Sequence, residues 1–184
     1  MIRDLILKNR SVRKYKQDVA VSRETLVELV DLARHSASGG NRQALKFMLS
    51  WQPEKNATIF RYIGLAGPPK EGQRPSAYII ILGDTAIASQ YGVDPGIAAQ
   101  SILLGATEKG LGGCMVGMIN RKGLHQALNI PERYEIVLVV TIGKPDESFT
   151  FEAAEVGSTQ TRGWWDEKGT RHIPKRSLEE LIIE

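Results

Sequence analysis

The chain has 184 residues, of which 42% are apolar and 24% charged, as expected for one globular domain with a sizeable core. Lys and Arg exceed Asp and Glu by only three charges, and no basic run is interleaved with aromatic residues, so nucleic-acid binding is disfavoured. The single cysteine, Cys114, excludes an internal disulfide or a cysteine-based zinc cluster and is interpreted as a buried core residue. The three histidines are too far apart for metal spacing.

Targeting signals are not apparent in the sequence. No segment reaches the roughly 18 uninterrupted apolar residues of a transmembrane helix. The apolar stretch at the start of the chain is too short for a signal peptide. We therefore expect a cytoplasmic protein with no membrane contact.

In chain order, the first half of the sequence predicts two helices followed by a strand. The first helix carries Ile2, Leu5 and Ile6 at helical spacing and ends at a polar segment. Ser22 is a favourable N-cap for the second helix, which stops near Gly39-Gly40 because two glycines disfavour its continuation. The strand covers residues 46–51, residues 53–72 have no clear pattern, and Gly67-Pro68-Pro69 is predicted as a loop.

The second half predicts strands around one unusually apolar helix. A continuously apolar strand at residues 77–83 is expected to be buried on both faces. The helix over residues 94–109 is apolar all round, which indicates either a central helix within one core or a helix covered by a partner subunit. Further predictions are strands over residues 114–119 and 135–142, a short helix over residues 121–128, and a helix or extended arm over residues 177–183. We therefore predict a single α+β domain over residues 1–184.

Two polar segments near the start of the chain combine groups that suit a phosphorylated, flat ligand. Asn9-Arg10-Ser11-Val12-Arg13 places two arginines and a hydroxyl after the first helix, and arginine matches phosphate oxygens with paired donors. Residues 38–43, Ser-Gly-Gly-Asn-Arg-Gln, let backbone N–H groups approach a ligand closely. The alternatives are solvated cations at a helix end and a plain glycine-rich helix stop.

Three later segments could complete such a site. Asp94 precedes Pro95 and is interpreted as the N-cap of the apolar helix, a role compatible with contacting a ligand. Gly117 either presents its amide to a ligand or is needed for close packing of a strand on the central helix. Lys175-Arg176 belongs to a basic cluster that is either a binding surface or a solvated face.

Taken together, these segments resemble the nitroreductase family of flavin enzymes over nearly the whole chain. The family pattern Arg/His-Arg-Ser-x-Arg is matched at Arg10, Ser11 and Arg13, with Asn9 in place of a basic residue. The loop pattern Pro-Ser-Ser-x-Asn-x-Gln-Pro is matched at Ser38, Asn41 and Gln43, with Ala37 for the proline, Gly39 for a serine and Ala44-Leu45 where Pro-Trp is frequent. The third family pattern, Asp/Gln-x-Gly-x-Ala-x-Gln, is matched at Asp94, Gly96, Ala98 and Gln100. The closing family pattern, Pro-x-Arg/Lys, is matched by Pro174-Lys175-Arg176.

The resemblance implies a nitroreductase-like fold, in which helices surround a central, mostly antiparallel sheet, and a homodimer with FMN at the subunit interface. It implies hydride transfer from NADH or NADPH through FMN to a nitroaromatic, a quinone or a similar small electrophile in a ping-pong scheme, without a catalytic side chain or a metal. The alternative is an FMN-binding sensor or carrier without efficient turnover. The tail, residues 146–184, is expected to pack on the partner subunit, and Trp164-Trp165 forms either an aromatic wall over the flavin or a packed tail.

The implied cofactor-binding residues come from five parts of the chain. The first segment contacts the phosphate and ribityl chain, the loop covers the ring from the opposite subunit, the Gly117 amide lies near flavin N5, and the closing basic residues return to the phosphate. They are Asn9, Arg10, Ser11, Arg13, Ala37, Ser38, Gly39, Asn41, Asp94, Val116, Gly117, Lys175 and Arg176.

Overall fold

The computed structural model describes residues 1–65, 67 and 69–184, and the chain forms two compact units. The larger unit is Met1–Pro145 and the smaller unit is Asp146–Glu184. Ala66 and Pro68 lie outside the described residues, so the loop predicted at Gly67-Pro68-Pro69 falls partly outside them.

A five-stranded antiparallel sheet forms the centre of the larger unit. Its strands are β1 Tyr15–Lys16, β2 Leu45–Ser50, β3 Ala77–Asp84, β4 Gly112–Val116 and β5 Tyr134–Pro145. The order is β1-β5-β3-β2, and β4 also pairs with β5. β4 ends three residues earlier than predicted because its pairing with β5 stops at Val116 opposite Val139. Cys114 in β4 is buried, as predicted. The antiparallel α+β architecture expected from the sequence is therefore confirmed.

Helices pack on both faces of this sheet. Those of the larger unit are α1 Ile2–Lys8, α2 Arg23–Arg34, α3 Pro53–Phe60, α4 Asp94–Glu108 and α5 Arg121–Ala127. The Ser22 hydroxyl accepts a hydrogen bond from the Thr25 N–H at 3.2 Å, which confirms the predicted cap of α2. The sequence patterning gives no prediction for α3, although a proline at its start and Glu54 in its first turn are helix-start signals.

The central strand β3 separates two apolar cores. All eight of its residues are buried, which confirms the two-sided burial predicted for this strand. Successive side chains of a strand point to opposite faces. Ile79 accordingly joins the core that contains Ile102 of α4. Ile80 joins the core that contains Ile59 of α3 and Leu124 of α5. Full burial of each such side chain contributes about 1.5–3 kcal/mol, so these two layers fix the frame on which the loops are held.

The smaller unit is a three-stranded sheet followed by a short helix. It consists of β6 Ser148–Ala153, β7 Trp164–Trp165, β8 Thr170–Lys175 and α6 Leu178–Leu181, with β6 parallel and β7 antiparallel to β8. His172 contacts three other side chains of this unit. Its Nδ1 pairs with Glu152, its Nε2 lies 3.2 Å from Asp166 Oδ2, and its ring stacks on Trp164 with centroids 3.9 Å apart. The sequence pattern predicts only the closing segment, as a helix or an extended arm, because these strands are short and lack apolar alternation.

The described residues also bear on membranes and metals. Among them, no helix is long and apolar enough to cross a bilayer. The same residues contain no group of three or more His, Cys, Asp or Glu side chains placed to hold a metal ion.

Candidate active site

The first polar segment borders a cleft of about 390 Å³ against helix α4, which we name the α1 cleft. Asn9, Arg10 and Ser11 line it from the end of α1, and Gln100 lines it from α4. Asn9 is the residue at which α1 ends, and its Nδ2 donates a hydrogen bond to Thr107 Oγ1 of α4 at 3.0 Å. This bond ties the polar segment to the central helix.

The backbone of the same segment is fixed by the edge of the sheet. The Val12 N–H donates to the Gly113 carbonyl at 2.9 Å, and Ser11 forms a bridge with Gly113. Arg10 is half-buried and donates to the Ile6 carbonyl, and desolvation lowers the pKa of its guanidinium without removing its charge. Arg13 donates to the Ser11 carbonyl at 3.3 Å. Arg10 is therefore more than a solvated cation at a helix end.

The second polar segment borders a different cleft of about 360 Å³, which we name the loop cleft. Ala37 and Ser38 line it from the loop, Phe47 lines it from β2, and Asp94 and Ala98 line it from α4. Its walls thus combine apolar surface with a few polar groups, the usual composition of a small-molecule site.

The loop itself is held in an uncommon backbone conformation. Gly40, Asn41 and Gln43 all have positive φ, at 58°, 53° and 51°. This left-handed backbone conformation suits glycine and is tolerated by asparagine, but at a glutamine it costs on the order of 1 kcal/mol. Within the loop, Ser38 accepts hydrogen bonds from the N–H of Asn41 at 2.9 Å and, through its hydroxyl, from the N–H of Gln43 at 3.4 Å. Backbone strain of this kind is concentrated at ligand sites.

Asp94 connects this loop to α4. Its Oδ1 accepts a hydrogen bond from the Gly39 N–H at 2.9 Å. The predicted N-cap role is wrong, because α4 begins at Asp94 itself and Val93 is the N-cap. Pro95 is accommodated in the first helical turn, where its missing N–H is not needed, and the carboxylate reaches the loop instead of its own helix. The sequence gives no signal for this contact between residues 55 positions apart.

The two clefts lie on different faces of α4. Each residue rotates a helix by roughly 100°, so Ala98 in the loop cleft and Gln100 in the α1 cleft are separated by roughly half a turn. On the loop side, Ser101 Oγ lies 2.7 Å from Ser36 Oγ beyond the end of α2. The lining residues of the two clefts do not overlap. A single chain therefore keeps its two polar segments apart, although the sequence predicts that both contact one cofactor.

The two glycines that flank β4 have different roles. A Cβ on Gly113 would lie 2.0 Å from the Thr141 carbonyl oxygen and 2.7 Å from a Leu103 methyl group of α4. A Cβ on Gly117 would meet no described atom within 4 Å. Close packing on the central helix therefore requires glycine at 113, and the packing interpretation of Gly117 is wrong. Gly117 is exposed and follows the buried Val116 directly.

The closing basic residues belong to the smaller unit. Lys175 ends β8, and its ammonium lies 5.8 Å from the centre of the Phe151 ring. Arg176 Nη1 lies 3.4 Å from Glu180 Oε1 in the following helix. A phosphate at Arg176 would compete with that carboxylate. Their contact with the flavin phosphate remains a prediction.

Comparison with known proteins assigns this chain to a protein family. The model of the nitroreductase family matches residues 6–77 and 85–144, which include both clefts and β4. The chain belongs to the nitroreductase family.

Three relatives illustrate the likeness. A protein of Archaeoglobus fulgidus, provisionally named an NADH dehydrogenase/NAD(P)H nitroreductase, is 30% identical over 162 residues, or 81% of this chain and 88% of that protein. An FMN-dependent nitroreductase of Clostridium difficile R20291 has 27% identity and a TM-score of 0.69, with 80% of this chain and 89% of that chain covered. The NADPH:FMN oxidoreductase of Vibrio harveyi in complex with NAD+ shares the fold, with 22% identity, a TM-score of 0.65, and 78% and 68% coverage.

Proposed function

We propose that this protein is an FMN-dependent oxidoreductase that takes hydride from NADH or NADPH and passes it to a small electrophile such as a nitroaromatic or a quinone. Membership of the nitroreductase family supports the reaction class. The observation that carries the proposal is the division of two candidate ligand-binding surfaces between different faces of α4. Two such half-sites suit one cofactor held between two subunits.

The α1 cleft suits the phosphate end of FMN. It contains the cation of Arg10 and the neutral donors of Asn9, Ser11 and Gln100, and its lining residues include no carboxylate. Charge-assisted hydrogen bonds from a half-buried arginine favour a phosphate dianion. Asn9 contributes no charge and its amide is engaged by Thr107, so we expect further cations to come from Arg13 and from the closing Lys175-Arg176.

The loop cleft and the end of β4 suit the ring end of the cofactor. The loop cleft offers apolar walls from Phe47 and Ala98 beside the hydroxyl of Ser38. The exposed Gly117 leaves its backbone accessible, with open space where a side chain would stand. FMN, when bound, supplies the ring that accepts and donates hydride. The chain would bind and orient that ring, and we expect the Gly117 N–H to donate a hydrogen bond to its N5 edge.

The same geometry supports our proposal of a homodimer with the cofactor at the interface. Large apolar side chains beside the two half-sites are exposed, with exposed fractions of 73% for Val93 and 67% for Met118. Ile6, which lines the α1 cleft, is 49% exposed. Exposed apolar groups clustered around binding surfaces are typical of an interaction site. We propose that a second copy covers these side chains and brings its loop cleft to the α1 cleft of the first copy.

The direct test is an absorbance spectrum of the purified protein, followed by anaerobic addition of NADH or NADPH. The proposal predicts flavin bands that bleach rapidly with at least one of the two donors. Flavin bands that persist with both would indicate a flavin-binding protein without reductase turnover. A protein that shows no flavin bands, even after incubation with FMN, would contradict the cofactor assignment.

A further inference from the structure

A third cleft of about 300 Å³ lies on the α3 face of the sheet and takes no part in the proposed flavin site. Trp51, Phe60 and Val19 are among its apolar walls, and Arg74, Ser76 and Tyr78 are among its polar lining residues. None of its lining residues belongs to the α1 cleft or the loop cleft. We name it the Arg74 cleft.

Two buried hydroxyl groups border this cleft without a hydrogen-bond partner among the described residues. They are Tyr78 Oη, in a residue with no exposed surface, and Ser76 Oγ. An unpaired buried hydroxyl lowers the stability of the fold by about 1–3 kcal/mol, so two of them beside one cleft are unusual in a small domain. Asn56 cannot relieve either of them, because its Nδ2 donates to the Ser76 carbonyl at 2.8 Å and its Oδ1 accepts from Ser50 at 2.7 Å.

Arg74 supplies the only charge among the lining residues. Its guanidinium carbon lies 4.7 Å from the centre of the Phe60 ring. It takes part in none of the ion pairs found among the described residues. A guanidinium stacked on an aromatic face keeps its N–H edges available for a planar acceptor. Arg74 also lies close enough to Tyr78 for its charge to oppose the rise that burial causes in the pKa of the phenol. The cation and the unpaired phenol therefore belong to one local environment.

The backbone beside the cleft is firmly held. Tyr15 donates its N–H to the Gln73 carbonyl at 3.1 Å, and the Gln17 side chain donates to the Arg74 carbonyl. These bonds attach the segment that carries Arg74 to the segment around β1. The cleft is thus a preformed surface with one cation at its polar end and apolar walls around it.

We propose that the Arg74 cleft binds a small carboxylic acid with an apolar, preferably aromatic, body. The carboxylate pairs with the guanidinium of Arg74, and the hydroxyls of Ser76 and Tyr78 turn toward it as donors. The ring lies between Trp51 and Phe60. A monoanion with an apolar body fits one cation among apolar walls better than a phosphate dianion does, because the dianion would need more donors than the cleft offers.

The test is a titration of the FMN-supplemented protein with benzoate, followed by the fluorescence of Trp51. The chain has three tryptophans, so the substitutions Trp164→Phe and Trp165→Phe leave Trp51 as the reporter. Benzyl alcohol, which has a similar shape without the charge, is the matched ligand. Arg74→Gln removes the proposed cation, and Arg61→Gln removes an exposed cation that follows α3 and does not line the cleft.

The proposal predicts a saturable fluorescence change with benzoate. Arg74→Gln should lower the affinity for benzoate about tenfold or more, and the unmodified protein should bind benzyl alcohol more weakly by a similar factor. Arg61→Gln should leave the affinity for benzoate unchanged. Tyr78→Phe should weaken benzoate several-fold without lowering the stability of the protein, because it deletes a hydroxyl that has no partner. Three results would overturn the proposal. These are the absence of saturation up to about 20 mM benzoate, equal binding by Arg74→Gln, and release of bound FMN by benzoate, which would place the ligand in the flavin site. The titration does not depend on turnover, so its outcome is separate from that of the reductase assay.

Discussion

The α1 cleft and the loop cleft prepare for a ligand in different ways. The α1 cleft relies on side chains, since Arg10 and Ser11 extend from a backbone that is paired with the edge of β4. The loop cleft relies on backbone, since its loop contains three residues of positive φ. Long-range hydrogen bonds attach both clefts to α4, from Asn9 to Thr107 in the first case and from Gly39 to Asp94 in the second.

This difference is the reason why we propose that two chains form each site. Phosphate binding needs charge, and ring binding needs flat, accessible backbone and apolar walls. The chain supplies both sets but attaches them to different faces of one helix. A two-fold symmetric pair of chains can bring one chain's charge to the other chain's loop, and it would do so twice.

The largest expected effect comes from removing the charge of the α1 cleft. Arg10→Ala should weaken FMN binding by about 1.5–3 kcal/mol, because charge-assisted hydrogen bonds are lost. Titration of free FMN, followed by quenching of its fluorescence, measures the change. Arg3→Ala, which removes an exposed cation from the same helix, is the matched control and should leave affinity unchanged. A similar loss is expected for Arg176→Ala, and unchanged affinity there would contradict the assignment of the tail.

The second effect concerns the open end of β4. Gly117→Ala should leave the free energy of unfolding within about 0.5 kcal/mol, because its methyl group would meet no atom of the described residues within 4 Å. It should slow anaerobic flavin reduction by NADPH about tenfold, because the methyl group would occupy the space expected for the ring. Gly113→Ala is the contrasting variant and should destabilise the fold by about 1–3 kcal/mol or more through its clash with Thr141. An unaltered reduction rate in Gly117→Ala would remove Gly117 from the site.

The third effect separates two roles for Asp94. If the carboxylate only positions Gly39, Asp94→Ala should weaken FMN binding by about 1 kcal/mol, the value of one hydrogen bond. Asp94→Asn retains an acceptor oxygen and should restore most of the affinity. The same fluorescence titration serves as the readout. If Asn fails as completely as Ala, the negative charge itself contacts the cofactor.

The smallest effect is a pH dependence confined to the smaller unit. The hydrogen bond to Glu152 raises the pKa of His172 above its ordinary 6.5. The stabilisation of the folded state by protonated His172 is therefore fully present below about pH 6.5. It is lost as pH rises through the raised pKa. Because Trp164 stacks on this ring, its fluorescence should change over the same interval. His172→Gln should abolish the change, and a pH-independent signal in the unmodified protein would contradict it.

Much of the frame could be predicted from the sequence because its signals are local. The Ser22 cap, the fully apolar β3 and the apolar α4 depend on residues that are neighbours in the chain. The sequence did not predict α3, because its apolar spacing is weak over eight residues. The sequence did not predict the strands of the smaller unit, because β7 has only two residues and β6 and β8 are half-exposed.

The site was harder to predict because its organisation is not local. The sequence identified the polar segments and Gly117 as candidates, through spacing and family resemblance. It could not reveal that Asp94 anchors Gly39 or that Asn9 is engaged by Thr107, since these pairs are 55 and 98 positions apart. Nor could it place the tight packing at Gly113 rather than Gly117, which depends on the distance to a neighbouring strand and helix.

The central claim, that one flavin is held by the α1 cleft of one subunit and the loop cleft of the other, is tested most directly by mixing two defective variants. Arg10→Ala damages only the α1 cleft, and the double variant Gly40→Val with Asp94→Ala damages only the loop cleft. In a mixed dimer, a shared site places both defects in one site and leaves the other intact. The account therefore predicts that equal mixing after subunit exchange restores about a quarter of the NADPH-dependent flavin reduction of the unmodified protein. Activity that stays at the average of the two variants would show that both clefts of one chain serve the same site, and it would contradict the account.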